Sequence, residues 1–262
     1  MSEALVRYEL RSPAVVLVLN RPDKRNALSR DLIAALSDAV QRAQDDTRVR
    51  SIVLTAAGPV FCAGMDLAEL AGSLHVSGDS APVWDDALRL ANLYDLIYRS
   101  PKPTVAAVNG PAIAGGAGLV TVCDLALCVH EARFGYPEVR RGLVAAMVMP
   151  HLLRHVGERT ARYLLLTGEL IDSHEALRVG LVNAITSIDL MIERSLSWAR
   201  AVADGGPEAL AATKLLLAQF SRQALSIEEA AQASAAPRLG EECRQGLQAF
   251  FAKQPAPWAH KA

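Results

Sequence analysis

Apolar positions along this chain change their period several times, and each change marks an element. Residues 5–10 and 14–19 are short extended runs joined at Ser12-Pro13, and they read as two strands. Leu32, Ile33, Leu36, Val40 and Ala43 then recur at helical spacing behind Ser29, a fitting N-cap, which predicts a helix reaching Asp45. Ser51 to Ala56 predicts a strand, Gly58 to Gly64 a turn, and Asp66 to Ala71 a short helix. Small and polar residues from Gly72 to Pro82 predict a loop long enough to act as a mobile lid. Trp84 to Tyr98 is helical, and Thr104 to Val108 is a strand apolar on both faces.

That strand runs into Asn109-Gly110-Pro111-Ala112-Ile113-Ala114-Gly115-Gly116-Ala117-Gly118, followed by a short apolar helix up to Cys123. Leu125 to Val129 and Val182 to Ile185 add two more strands. Strands alternating with helices predict an α/β core with parallel pairing. From Ile188 onward the pattern is helical throughout, with Pro207 as a helix start and Ser226…Glu229 as a capping box. The expected division is therefore a core over 1–187 and a helical region over 188–262, with no internal repeat.

Composition narrows the function. The net charge of −1, from 27 basic and 28 acidic residues, removes the electrostatic case for nucleic acid as a partner. The four cysteines, Cys62, Cys123, Cys128 and Cys243, show no CxxC pairing, so buried free thiols are expected rather than disulfides or zinc. The first residues carry charges and no apolar core of a secretory signal. No uncharged run reaches the length of a membrane span. A soluble cytoplasmic protein without a membrane partner is the expectation.

A strand feeding a glycine-rich turn that opens a helix aims backbone N–H groups at whatever sits at that helix N-terminus. No Lys or Arg lies between Pro103 and Ala132, so phosphate does not fit well. A neutral oxygen that becomes negative during reaction fits better. Phe61-Cys62-Ala63-Gly64-Met65-Asp66-Leu67 offers a second N–H donor at Met65, also at a helix start. Each segment alone could be an ordinary βα turn, and Gly115-Gly116-Ala117-Gly118 could serve close packing only. Position 121 is Thr, so a dinucleotide fingerprint cannot be read from Gly116.

Taken in order, the segments resemble the crotonase (enoyl-CoA hydratase/isomerase) superfamily across essentially the whole chain. The matching stretches include Leu19-Asn20-Arg21-Pro22, Asn26-Ala27-Leu28, Phe61 to Leu67, Ala106-Ala107-Val108-Asn109-Gly110 and Ala114-Gly115-Gly116. Cys123-Asp124, Phe134-Gly135-Tyr136-Pro137-Glu138, Leu166-Thr167-Gly168 and Gly180-Leu181-Val182 complete them. The resemblance implies a spiral of ββα units in two sheets, then helices that mediate a homotrimer or a dimer of trimers. It implies an acyl-CoA thioester as substrate, with no cofactor beyond the CoA that the substrate carries. It places the thioester oxygen between the N–H groups of Met65 and Gly115, with glycine at 115 keeping the approach clear, and makes Glu138 a catalytic carboxylate. A solvated Glu138 paired with Arg140 or Arg141 is the plain alternative.

One position departs from the pattern. Many hydratases of this superfamily carry a second Glu where this chain has Gly118, and no Asp or Glu occurs between Asp95 and Asp124. Asp124 is expected to be a structural cap or ion-pair residue. A single carboxylate suits allylic isomerisation, and decarboxylation needs mainly the enolate-stabilising hole. Against that, Gly115 to Leu119 together with Glu138-Val139-Arg140-Arg141-Gly142 resembles the methylglutaconyl-CoA hydratase branch, which also lacks the second Glu. Arg140 could then meet a substrate carboxylate. Hydration leads, isomerisation or decarboxylation is the alternative, and a non-catalytic acyl-CoA-binding paralogue is the other.

For CoA itself, the resemblance points to Lys24 and Arg25 near phosphates and to Ala63, Asp66 and Leu67 beside adenine and pantetheine. Gly116 and Gly118 belong to the acyl site, and Phe250 and Lys253 to a helix that closes over CoA, unless that helix is simply amphipathic with a solvated Lys. The six histidines form no metal signature; His151 and His155 share a helical face without the Glu of a zincin. No GxSxG elbow supports a serine hydrolase.

Overall fold

The computed structural model describes residues 4–74, 81–220 and 227–254. Its centre is a six-stranded sheet in the order β1 (Val6–Arg11), β2 (Ala14–Leu19), β3 (Ser51–Ala56), β4 (Thr104–Val108), β6 (Leu125–Val129) and β9 (Ala184–Thr186). β1 pairs antiparallel with β2, and the remaining neighbours are parallel. A second sheet contains β5 (Ala112–Ile113), β7 (Arg133–Gly135) and β8 (Leu170–Asp172). Every residue of β2 and β4 is buried, as strands covered on both faces require.

The helices are α1 (Arg30–Asp45), α2 (Leu67–Leu74), α3 (Ala81–Tyr98), α4 (Gly115–Val122) and α5 (Met149–Thr167). After them come α6 (Ser173–Arg178), α7 (Ile188–Ala203), α8 (Pro207–Phe220), α9 (Ile227–Arg238) and α10 (Glu241–Phe251). In α1 the Ser29 hydroxyl accepts from Leu32 N at 3.2 Å, and the five apolar stripe positions are all buried. α4 is buried at all eight residues, which its run of small side chains permits.

Several elements differ from expectation. Leu181 and Val182 donate their N–H groups to Ala176 O, so they form a turn and β9 starts later, at Ala184. Gly72 to Leu74 complete α2, and Ala81 opens α3, so both ends of the expected loop are helical. Residues 75–80 of that loop, and Ser226 of the expected capping box, lie outside the described residues. β5, β7 and β8 span only two or three residues, too few to show any period.

The C-terminal helices fold back on the core. α7 buries Met191 and Ala199 in the same apolar cluster as the sheet, and α9 lies along α3 with Ala231 and Ala235 in that cluster. Lys214 of α8 meets Asp124 at 2.5 Å, while Asp124 also accepts from Thr104 N at 2.7 Å and Thr104 Oγ1 at 2.9 Å. Asp124 thus has the structural role expected of it. All four cysteines are buried and unpaired. Among the described residues, no helix is long and apolar enough to cross a membrane.

Candidate active site

A cavity of about 440 Å³ opens where α2, α3, α4, α9 and the turn after β7 converge. Two backbone segments meet at its wall. Cys62 and Ala112 form a parallel bridge, and Leu28 forms another with Met65. A Cβ on Gly64 would lie 3.3 Å from Gly115 N and 2.9 Å from Ala114 Cβ, so the residues before the two candidate donors are in contact. A Cβ on Gly116 would lie 2.2 Å from Cys62 O, which no side chain can tolerate. At Gly115 the same construction meets only side-chain atoms, at 3.1 Å or more. Glycine is therefore required more strictly at 116, whose missing side chain lets α4 abut the Met65 segment, than at 115.

Both candidate donors are available. The Leu28–Met65 bridge uses Leu28 N to Gly64 O and Asp66 N to Leu28 O, leaving the Met65 N–H out of it. Gly115 is the first residue of α4, so its N–H has no acceptor in its own helix. Ala114, just before it, sits at φ 53°, ψ −124°, a conformation a non-glycine residue rarely adopts. Its N–H donates to Gly135 O at 2.8 Å, which helps hold this strained residue.

The same short ladder carries Glu138. Ile113 in β5 pairs with Gly135 in β7, and the chain passes through Tyr136 into a 3₁₀ turn, Pro137–Arg141. Phe134 and Tyr136 are both fully buried and anchor the lead-in. A Cβ on Gly246 would touch the Arg141 backbone at 2.7 to 3.0 Å, so α10 clamps the end of this turn. Glu138 lines the cavity, but its Oε2 is cut off from solvent and has no hydrogen-bond partner. Burial pushes its carboxyl up to about 7, against smaller opposing effects of a backbone hydrogen bond and the Arg141 and Arg238 charges. Glu138 is thus half-buried with one oxygen shielded, unlike a fully solvated surface glutamate.

The opposite wall is neutral. A Cβ on Gly118 would lie 2.3 Å from the Tyr94 hydroxyl and 2.6 Å from Val148 Cγ1. Tyr94, from α3, fills the space a side chain at 118 would need and donates its hydroxyl proton to Gly115 O at 2.7 Å. Sequence reasoning missed Tyr94, because it sits in the apolar stripe of an ordinary helix. The vacancy at 118 was the one available hint.

The other expected residues separate into two groups. Lys24, Arg25, Ala63, Asp66, Leu67 and Phe250 line the cavity. Asp66 is also committed elsewhere, accepting from Arg21 Nη1 at 2.7 Å and capping α2 through Ala68 N at 3.1 Å. Gly116, Gly118, Arg140 and Lys253 do not line it. Arg140 is exposed and donates through Nε and Nη2 to Thr167 O at 3.1 and 3.0 Å. Besides Lys24 and Arg25, the cations that line the cavity are Arg141, whose guanidinium stacks over Phe250 at 4.7 Å, and Arg238 of α9. His155 Nε2 lies 2.9 Å from Thr121 O, a structural contact, and burial drives His151 down to about 3.

The family model for enoyl-CoA hydratase/isomerase matches residues 11–261. The chain belongs to that family. A Thermus thermophilus protein whose name places it among the enoyl-CoA hydratases is 42% identical over 253 residues, covering 96% of this chain and 99% of its own length. The 2,3-dehydroadipyl-CoA hydratase of Escherichia coli is 34% identical over 257 residues, covering 97% of each chain. The crystal structure of an enoyl-CoA hydratase from Mycobacterium avium superposes with a TM-score of 0.82 at 32% identity, covering 98% of this chain and all of that one. The fold is that of the crotonase superfamily.

Proposed function

We propose that this protein catalyses the reversible hydration of an α,β-unsaturated acyl-CoA. The observation that carries this reading is the convergence of Met65, Gly115 and Glu138 on one cavity, with Glu138 Oε2 lacking a hydrogen-bond partner. The hydratase names of similar proteins support it.

In this account the thioester oxygen lies between the two N–H groups. Ionised Glu138 takes a proton from water as the water oxygen bonds to the β-carbon. The electron pair of the double bond moves to the thioester oxygen, where hydrogen bonds strengthen as negative charge develops. Glu138 then returns its proton to the α-carbon, closing the cycle with one molecule of water added. A carboxyl titrating at about 7 suits both halves, because an acid–base group works best near its operating pH. Exposed Lys24 and Arg25 at the cavity rim suit the phosphates of CoA, and the apolar walls suit the acyl chain.

The neutral Gly118–Tyr94 wall favours a second reading, double-bond isomerisation by Glu138 alone. Purified protein incubated with crotonyl-, 3-methylglutaconyl- and 3-hexenoyl-CoA in ¹⁸O-labelled water separates the two. Hydration predicts label in the product from at least one 2-enoyl substrate, and a roughly 10²–10⁴-fold lower kcat in Glu138→Gln. Turnover of 3-hexenoyl-CoA without label, or a Gln variant within threefold of wild type, would overturn it. The run Leu215, Leu216 and Leu217 on α8, each at least half exposed, supports assembly into a homotrimer or a dimer of trimers.

A further inference from the structure

Arg238 is a buried charge in the cavity wall that the hydration chemistry leaves unused. It is only 4% exposed, and its Nη2 donates to Ser234 Oγ at 2.9 Å while its Nη1 has no partner. The carboxylate within its electrostatic reach on α3, Asp86, is already satisfied. Arg30 donates to Asp86 at 2.6 and 2.8 Å, and Ser73 Oγ at 2.7 Å. A buried guanidinium with an unmet donor is costly, and burial lowers its affinity for its own proton. The arrangement is stabilised when an anion enters the cavity.

Its position indicates which anion. The rim cations Lys24 and Arg25 are exposed and suit the solvated phosphates of CoA. Arg238 is buried and lies within electrostatic reach of Glu138 and Tyr94, the groups on the two walls that flank the reacting carbons. That is where the acyl group would lie, not the nucleotide. A guanidinium fork matches a carboxylate through two parallel hydrogen bonds, and the bond from Nη2 to Ser234 Oγ helps hold the fork in place.

We propose that Arg238, held by Ser234, is a subsite for a carboxylate at the end of the substrate's acyl chain, so that the enzyme acts on ω-carboxy-enoyl-CoA thioesters. The inference rests on the acyl-CoA reading above and deepens it. Arg238 replaces Arg140, which the resemblance had suggested for a substrate carboxylate and which the fold turns away to Thr167.

The test is equilibrium binding of saturated, unreactive thioesters to the full-length protein. Adipyl-CoA is compared with hexanoyl-CoA, and glutaryl-CoA with pentanoyl-CoA, by calorimetry. The expected result is tighter binding of the carboxylated member of at least one pair by about 10–100-fold, the scale of hydrogen bonds to a charged partner. That ratio collapses toward one in Arg238→Met and falls partway in Arg238→Lys, which keeps charge but loses the fork. If Arg238→Met does not fold, the wild-type ratio and Ser234→Ala decide, the latter reducing the ratio. No preference in wild type at either length, or a preference that persists in Arg238→Met, overturns the subsite. Failure of every thioester to bind would instead overturn the acyl-CoA reading itself.

Discussion

The two walls of the cavity solve different problems with different materials. One is the 3₁₀ turn bearing Glu138, a single carboxylate held by buried Phe134 and Tyr136 on one side and by α10 on the other. The other is the first turn of α4 with Tyr94 behind it, built from glycines and one hydroxyl and without a charge. In the neutral wall the backbone itself is the functional group, so side chains there are constrained to be absent. In the charged wall one carboxylate must be desolvated yet reachable, so the surrounding side chains are large and fixed. The space a second acid would need is taken by Tyr94, so in the proposed mechanism proton transfer is concentrated on one residue.

Breaking the neutral wall should have a large effect on activity. Gly116→Ala places a methyl group against Cys62 O and forces α4 away from the Met65 segment, separating the two N–H donors. A loss of about 10²–10³ in kcat/KM is expected, the scale of one lost donor. Gly115→Ala, whose methyl meets only side-chain atoms, should cost clearly less in the same steady-state assay. Equal losses would show that the close approach at 116 does not set the hole.

Putting a charge into that wall sharpens the contrast. Gly118→Glu collides with the Tyr94 hydroxyl and Val148, and should destabilise the fold by about 1–3 kcal/mol, as overpacking does. Pairing it with Tyr94→Ala should recover much of that loss in a denaturant titration, since the two positions share one volume. Additive effects would mean that Tyr94 does not fill the missing side chain's place.

Removing the charge from the other wall has the smallest effect, on stability. Folded Glu138 titrates at about 7, against an ordinary 4.5, so between those values the folded chain holds a proton that the unfolded chain has released. Its contribution therefore declines as pH rises through that window and is lost above 7. Glu138→Gln should raise Tm at pH 8 by roughly 2–4 °C, as a change of ~1 kcal/mol does in a long chain, and by less at pH 5. A Gln variant less stable at pH 8 than at pH 5, relative to wild type, would remove the desolvation argument.

How much was readable in the sequence follows from how local each signal is. The α1 stripe, the doubly buried strands and the two glycine turns are written in consecutive residues, and they appear as expected. Met65, Gly115 and Glu138, which short runs resembling the family single out, all line one cavity. Tyr94 and Arg238 are not singled out, because both come from helices that are remote in sequence from those turns and pass there for ordinary apolar and terminal positions. Arg140 and Arg141 are adjacent, and successive positions of a 3₁₀ turn point in different directions, one here to Thr167 and the other into the cavity. The short strands β5 and β7 link the donor turn to Glu138, yet they are too brief to leave a pattern.

The central claim is that one carboxylate, Glu138, handles the proton. The pH dependence of kcat/KM for hydration of crotonyl-CoA tests it most directly. Water activation requires the ionised form, so the rate should fall about tenfold per pH unit below an apparent pKa near 7, and this limb should vanish in Glu138→Gln. An unchanged limb in the Gln variant, or a bell whose second arm belongs to another carboxylate, would contradict the account.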